Sequence, residues 1–234
     1  MKKHIPNLLT CSNLLCGCIG IDLVYQGELT AAPFLMALAA IFDFFDGFAA
    51  RLLKVSSPIG KELDSLADLI SFGLLPGVLL NQLLAPHAVG SLEQLTYLGW
   101  LIPVFSALRL AKFNVDTRQE ESFIGLPTPA NALFWGSFPL IMAYQPEIGQ
   151  WLKHPGLLAG LGIVMSGLLV AELPLFSLKF KSMGWKGNEW RYIFIFGSVL
   201  LLLWGRYLGL ALCVVFYLIL SGISQISTSK STGG

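Results

Sequence analysis

The chain has 234 residues, of which 55% are hydrophobic and 12% charged, with a net charge of +1. Soluble domains carry about 25% charged residues, so this composition excludes an ordinary soluble domain and favours a membrane protein with several spans. The near-neutral charge and the lack of a basic tract predict no nucleic-acid partner. The length is sufficient for roughly eight helices of about 20 residues each.

Eight apolar segments follow one another along the chain, and each predicts a helix that crosses the lipid bilayer. They are residues 6–26, 31–53, 62–84, 95–114, 126–144, 156–178, 190–204 and 207–225. The sequence therefore predicts an all-α, polytopic membrane helical bundle with about eight transmembrane helices. Residues 1–225 are expected to form a single transmembrane domain, and the polar residues 226–234 a disordered tail.

The basic residues are distributed unevenly between the two predicted membrane faces. If the N-terminus is cytoplasmic, all 15 Lys and Arg residues except Lys153 and Arg206 lie at cytoplasmic ends of the segments. Such an excess is typical of cytoplasmic loops. The distribution predicts an integral protein of the cell (inner) membrane, with both termini in the cytoplasm.

The first apolar segment begins with IPNLLTCSN, in which Asn7, Thr10 and Asn13 recur at intervals of three. Residues spaced in this way share a helix face. Two interpretations remain open at this point: these side chains cap the start of the helix, or they contact a substrate.

Four aspartates flank the turn between the second and third segments. Asp43 and Asp46 are three residues apart at the end of one helix, while Asp64 and Asp68 are four apart at the start of the next. The stretch KVSSPI between them favours a short turn. A short turn makes the second and third helices antiparallel. Their acidic faces are therefore expected to lie opposite each other on the cytoplasmic side.

Carboxylates that converge in this way need a counter-charge to remain ionised. A set of oxygen ligands without His or Cys suits Mg²⁺ or Mn²⁺. The small residues Gly47, Ala50 and Gly60 leave room for a phosphorylated ligand beside the metal. The alternative is that the aspartates form ion pairs with basic residues at the membrane rim, namely Arg51, Lys54 and Lys61.

The whole stretch fits the pattern D-x2-D-G-x2-A-R-x8-G-x3-D-x3-D, with residues at positions 43, 46, 47, 50, 51, 60, 64 and 68. This pattern resembles the signature of the CDP-alcohol phosphatidyltransferase family. The resemblance implies a transferase of phospholipid biosynthesis in which two Mg²⁺ or Mn²⁺ ions hold the pyrophosphate of a CDP-linked lipid. It also implies a homodimer.

The resemblance implies roles for individual residues. Asp43, Asp46, Asp64 and Asp68 would be the metal ligands, and Asp68 would also act as the general base. The implied CDP-binding residues are Asp43, Gly47, Ala50, Arg51 and Gly60.

The acceptor site is expected near the cytoplasmic end of the fourth segment, where Arg109, Lys112 and Asn114 lie together. These basic residues either anchor the helix at the membrane surface or bind an anionic acceptor. The stretches PNLLT, AKFNV, GLPTPANA and LPLFSLKF resemble the integral-membrane branch of the family that uses L-serine and CDP-diacylglycerol. The chain departs from that branch at Lys112, where Arg is common, and at Asn131, where Ala is frequent.

Several other functions remain open from sequence. Within the family, glycerol 3-phosphate, inositol, inositol phosphate or choline could replace serine as the acceptor. A cation transporter is the alternative from a different class, since acidic helix faces can bind ions. Transporter sites usually lie near the bilayer midplane, whereas these aspartates lie at helix ends.

Overall fold

Helices account for nearly all of the regular structure in a computed structural model of the chain, which describes residues 4–55, 57–87, 90–115, 123–178, 184–185 and 187–231. Within these residues the α-helices are α1 (Ile5–Tyr25), α2 (Ala32–Leu53), α3 (Pro58–Asp68), α4 (Leu75–Leu84), α5 (Leu101–Val115), α6 (Thr128–Tyr144), α7 (Pro146–Leu152), α8 (Pro155–Val170), α9 (Glu189–Gly205) and α10 (Tyr207–Ser231).

Shorter elements connect these helices. A π-helical turn, Leu69–Leu74, joins α3 to α4 without a break in the chain direction. The 3₁₀ helices are Leu29–Ala31, Ala85–His87 and Gly90–Trp100. Two short strands, β1 (Phe123–Ile124) and β2 (Pro174–Leu175), pair antiparallel.

The prediction of an all-α membrane protein is confirmed, but the count of eight spans is not. Among the described residues, five helical stretches are long and apolar enough to cross a bilayer, and α7 with α8 gives a sixth if this pair, bent by 74°, is one span. Helices α6 and α9 have 17 residues each, which is about 26 Å of helix. This length falls slightly short of the roughly 30 Å hydrocarbon core.

The turn between α2 and α3 has a local cause in the sequence. Lys54 adopts the left-handed conformation, with φ of 53°, and ends α2. Ser57 then caps α3 by accepting a hydrogen bond from the backbone N–H of Gly60 at 3.0 Å, and Pro58 occupies the first turn. A Ser cap followed by Pro is a typical helix start. The predicted reversal of the chain is therefore present, although Ser56 lies outside the described residues.

The predicted sixth segment, 156–178, ends earlier than expected. Helix α8 stops at Val170, and Ala171 is already extended, with ψ of 139°. Proline disfavours helical backbone at the residue before it and lacks the N–H that a helix interior needs. Pro174 therefore belongs to the extended strand β2 and not to a helix.

The last segment extends further than expected. The backbone of α10 remains helical to Ser231, so it includes most of residues 226–234, for which a disordered tail was predicted. Residues 232–234 lie outside the described part of the chain. The division into a transmembrane domain and a tail stays a prediction.

Helix α1 lies close to the span that contains α3 and α4. A Cβ atom added at Gly17 would lie 2.5 Å from Ser71 Oγ and 2.9 Å from Ser71 Cα, and one at Gly20 would lie 2.6 Å from the Leu75 side chain. Ser71 Oγ donates a hydrogen bond to the carbonyl oxygen of Asn13 at 2.9 Å. Small residues at such crossings let membrane helices approach closely. The approach brings the polar face of α1 to the aspartates.

We expect Gly17→Ala to lower the melting temperature of the purified protein in detergent. The added methyl group meets both the side chain and the backbone of Ser71, and overpacking of this kind costs about 1–3 kcal/mol. Gly222→Ala is the matched control, because a Cβ there has no neighbour within 4 Å. Equal melting temperatures for the two variants would contradict the close approach of α1.

Candidate active site

Three of the predicted aspartates come together where α2 and α3 face each other. Asp43, Asp64 and Asp68 each place one carboxylate oxygen within 4.8 Å of the other two. Asp43 lies on α2, and Asp64 and Asp68 lie on α3. The antiparallel turn between the two helices therefore brings the three carboxylates together. We call these residues the aspartate trio.

The fourth aspartate, Asp46, is set slightly apart from the trio. It is 7% exposed, and its Oδ2 accepts a hydrogen bond from Thr10 Oγ1 on α1 at 2.7 Å. A short bond of this kind, to a charged acceptor, fixes the carboxylate orientation. Asp46 still interacts electrostatically with Asp43 and Asp64, so it belongs to the same acidic region.

Helix α1 orients one member of the trio as well. Asn13, which is fully buried, donates from Nδ2 to Asp68 Oδ1 at 3.1 Å. The helix start itself is not capped by these polar residues: the cap position is His4, whose side chain makes no capping bond. The spacing of three correctly indicated that Thr10 and Asn13 share one face of α1. Sequence reasoning missed that these side chains donate hydrogen bonds to Asp46 and Asp68.

A first cavity of about 440 Å³ opens beside Asp46 and Asp64. Of the predicted nucleotide residues, Gly47, Ala50 and Gly60 line it, whereas Arg51 is exposed and lies outside its lining. A Cβ at Gly47 would meet nothing within 4 Å. Gly47 therefore leaves open space beside the carboxylates.

A second cavity of about 780 Å³ lies on the other side of the aspartates. Asp43, Asp68 and Arg109 line it, with apolar side chains around them. Only Lys61 and Asp64 line both cavities, among the residues that the structure describes. The acidic region is thus a partition, with Asp46 on the first side, Asp43 and Asp68 on the second, and Asp64 between them.

The predicted acceptor residues differ in position. Arg109 is 7% exposed, interacts electrostatically with Asp68, and has an Nε atom without a hydrogen-bond partner among the described residues. Asn114 lines the same cavity, but its Nδ2 donates to Ser65 Oγ at 2.9 Å. Lys112 is exposed and does not line the cavity. Of the three predicted acceptor residues, Arg109 is therefore the cation that faces the aspartates.

Lys61 does not support the alternative in which the aspartates form ion pairs with basic residues at the membrane rim. Its ammonium group donates to the backbone carbonyl of Asn114 at 2.9 Å, although it lies beside Asp64 in both cavities. Arg51 and Lys54 are exposed. Thr10 and Asn13, both on α1, donate hydrogen bonds to Asp46 and Asp68, and both of these side chains are neutral.

The donor set fits a hard divalent cation. Carboxylate oxygens are ligands that Mg²⁺ prefers, and the trio offers three of them within 4.8 Å of one another. Asp64 Oδ1 is buried and has no hydrogen-bond donor in the part of the chain that is described. Such an orphaned, charged oxygen is costly, and a bound cation would satisfy it.

Comparison with known proteins agrees with this geometry. The sequence pattern of the family "CDP-alcohol phosphatidyltransferase" matches residues 3–173, which is more than half of the chain. The chain therefore belongs to the CDP-alcohol phosphatidyltransferase family, and it is a transferase. The matched range includes α1 and both sides of the aspartate partition, but it ends before α9 and α10.

Individual relatives are 34–38% identical to the chain over the regions that align. It is 37% identical over 129 residues to CDP-diacylglycerol–serine O-phosphatidyltransferase of Bacillus subtilis, which is 54% of this chain and 70% of that protein. It is 38% identical over 144 residues to archaetidylserine synthase of Methanothermobacter thermautotrophicus, 60% of each chain. The Mycobacterium leprae serine O-phosphatidyltransferase is 34% identical over 180 residues, 73% of this chain and 57% of that one. The second and third alignments thus span less than two thirds of those relatives.

Proposed function

We propose that the chain transfers the phosphatidyl group of CDP-diacylglycerol to the hydroxyl of L-serine, giving phosphatidylserine and CMP. The observation that carries the proposal is the second cavity, in which a buried arginine faces the carboxylate of Asp68. Serine carries a carboxylate, an ammonium and a hydroxyl within a few ångströms of one another, so its site needs one cation and a nearby base. The activities for which similar proteins are named support the same acceptor.

The two cavities suggest a division of the substrates. We place the CDP moiety in the first cavity, where Gly47, Ala50 and Gly60 leave room along the backbone. Serine then occupies the second cavity, with its carboxylate on Arg109 and its hydroxyl toward Asp68. The scissile phosphate lies between them, beside Asp64, the carboxylate common to both cavities.

The reaction is a substitution at the phosphorus atom that carries diacylglycerol. Asp68 accepts the proton of the serine hydroxyl, and the serine oxygen forms the new bond to phosphorus. The bond from that phosphorus to the oxygen bridging it to CMP breaks, and CMP leaves with the electron pair. Asn13 holds Asp68 Oδ1, so it leaves the other carboxylate oxygen free to receive the proton.

Divalent cations complete the proposed site. Asp43, Asp64 and Asp68, with Asp46 beside them, would hold two Mg²⁺ or Mn²⁺ ions, which is the metal set inferred from sequence. When bound, such ions offset negative charge on the attacking and leaving oxygens. The short bond from Thr10 keeps Asp46 directed, so its carboxylate needs little reordering to join the metal site.

The substrates also fit a location at the membrane surface. CDP-diacylglycerol keeps its acyl chains in the bilayer while its phosphates reach water, which matches aspartates in the halves of the two spans nearest the turn between α2 and α3. We propose an integral protein of the inner membrane with its active site and both termini in the cytoplasm, working as a homodimer. The proposed orientation follows from the Lys and Arg distribution.

We expect Asp43→Asn and Asp64→Asn to abolish nearly all CMP release, because each substitution removes one ligand charge from the trio. Chelation should inactivate the wild-type protein, and added Mg²⁺ or Mn²⁺ should restore it. The assay follows CMP from CDP-diacylglycerol and serine in detergent. Glu62→Gln is the matched control, since Glu62 is exposed on α3 and lines neither cavity. Full activity in the presence of the chelator would contradict the proposed requirement for divalent cations.

We expect Arg109→Ala to raise the Michaelis constant for serine about ten- to a hundredfold. A charge-assisted contact in a buried site contributes about 1.5–3 kcal/mol, and the constant for CDP-diacylglycerol should barely change. Lys112→Ala, at the exposed position three residues away, should have a smaller effect.

The same assay identifies the acceptor when wild-type protein is tested with serine, glycerol 3-phosphate, inositol, inositol phosphate and choline. CMP release with another acceptor but not with serine overturns the serine assignment and leaves family membership intact. A lipid donor other than CDP-diacylglycerol is tested in parallel, because one similar protein is an archaetidylserine synthase.

Cysteine labelling tests the proposed orientation. In a background without Cys11, Cys16, Cys18 and Cys213, single cysteines at Lys54 and His87, which lie at opposite ends of the α3–α4 span, should react with an impermeant reagent from opposite sides. Lys54 should label only from the cytoplasm. Labelling of both positions from one side contradicts the orientation.

A further inference from the structure

Helix α5 lies close to the span that is formed by α3, the π-helical turn and α4. A Cβ atom added at Gly77 would lie 2.7 Å from the Pro103 ring, and one at Gly73 would lie 2.9 Å from Ser106 Cβ. Small residues let membrane helices approach in this way. The two pairs also show that the helices are antiparallel, because the position along α5 rises as the position along the span falls.

The second cavity opens between the same two helices, nearer to the turn that joins α2 to α3. Asp68 lines it from α3 and Arg109 lines it from α5, together with the larger side chains of Leu110 and Phe113. The Nε atom of Arg109 has no hydrogen-bond partner among the described residues. The placement of this guanidinium relative to Asp68 therefore depends on the position of α5 relative to α3.

Hydrogen bonds join α5 to α3 again at the end of the cavity nearest the turn. Asn114 Nδ2 donates to Ser65 Oγ at 2.9 Å, and Lys61 Nζ donates to the carbonyl oxygen of Asn114 at 2.9 Å. Ser65 Oγ in turn donates to the carbonyl oxygen of Lys61 at 3.3 Å. The three residues thus form a closed circuit of hydrogen bonds, and all three line the second cavity. We call Lys61, Ser65 and Asn114 the polar clasp.

The chemistry of each member suits this contact between helices. Asn114 lies one residue before the end of α5, where backbone carbonyls lack partners within the helix and a nearby cation is favourable. The ammonium group of Lys61 supplies both. The Ser65 hydroxyl uses its proton within α3, so its oxygen accepts the Asn114 amide. The amide group that was expected to contact the acceptor is therefore bonded to α3 instead.

We propose that Asn114 is a positioning residue: through the polar clasp it holds α5 against α3, sets the separation of Arg109 from Asp68, and so determines the length of acceptor that the site takes. This inference rests on the proposed function, because it assigns the acceptor carboxylate to Arg109 and the acceptor hydroxyl to Asp68.

The size of the acceptor provides a measure of that separation. L-Homoserine carries the same charged groups as L-serine, but its hydroxyl is one methylene group further from the carboxylate. One methylene group changes discrimination about 10- to 200-fold in a closely fitting pocket. A fixed separation favours serine, whereas a variable separation weakens the hold on serine and admits the longer acceptor.

The test is Ser65→Ala, which removes the oxygen that Asn114 bonds and leaves the Asn114 side chain intact. CMP release from CDP-diacylglycerol is measured with L-serine and with L-homoserine. We expect the ratio of kcat/KM for serine to that for homoserine to fall about two- to tenfold, the value of one neutral hydrogen bond. The Michaelis constant for CDP-diacylglycerol should stay the same. Where turnover of homoserine is too slow to measure, its inhibition constant against serine replaces it in the ratio.

Ser12→Ala is the matched control. Ser12 Oγ also donates to the backbone carbonyl four residues earlier, that of Leu8, but Ser12 lines neither cavity. This variant should keep the wild-type ratio. A loss of stability alone affects both acceptors equally, so a lower melting temperature of Ser65→Ala with an unchanged ratio would make the clasp merely structural and overturn the proposal.

A double-mutant cycle separates positioning from a direct contact between Asn114 and the acceptor. Asn114→Leu removes the amide and keeps a side chain of similar size. If both residues act through their shared hydrogen bond, Asn114→Leu lowers the ratio as much as Ser65→Ala does, and the double variant lowers it no further. A full additional effect in the double variant means that Asn114 contacts the acceptor itself, and it overturns the positioning role.

The proposed function and the proposed clasp fail in different ways. If wild-type protein releases CMP with another acceptor but not with serine, the serine assignment fails. The same variants, measured with that acceptor and with its homologue that has one more methylene group, then still decide the role of the polar clasp.

Discussion

Electrostatic repulsion among the aspartates is the constraint on which the rest of this structure depends. Asp43, Asp64 and Asp68 bring carboxylate oxygens within 4.8 Å of one another inside two apolar helical spans, where charge is costly. Carboxylates this close need a counter-charge to remain ionised. The hydrogen-bond donors around the aspartates fit this constraint. Neutral Thr10 and Asn13 hold the carboxylates of Asp46 and Asp68, so the negative charge of these carboxylates is not neutralised by their donors.

Close helix packing makes that arrangement possible. Gly17 lets α1 lie against Ser71, immediately after the point where α3 changes to a π-helical turn. Turns of this kind are frequent at functional sites, because the extra residue shifts the side chains that follow. Here the turn begins directly after Asp68, so the helix that carries two of the trio is regular up to the Asp68 carboxylate.

The partition between two cavities links this chemistry to the proposed substrates. Asp46 faces one cavity, Asp43 and Asp68 face the other, and Asp64 lines both. A reaction that joins a nucleotide-linked lipid to a small acceptor needs two binding spaces that meet at one phosphate. The first space is built from the family pattern alone, whereas the second also uses α9 and α10. Variation in these helices would change the second cavity without altering the four aspartates.

The sequence by itself determined the apolar helices, the turn and the aspartate trio, because helix periodicity and a short connection act over a few residues. It also indicated Arg109, although it could not separate this residue from Lys112, which lies three positions away and faces solvent. Only the tertiary structure decided which distant groups meet. Thr10 reaches Asp46 across 36 positions and Asn13 reaches Asp68 across 55, while Tyr217 lines the same cavity as Arg109 from a helix without any recognised motif. Such contacts depend on how whole helices pack, and no local pattern encodes that packing.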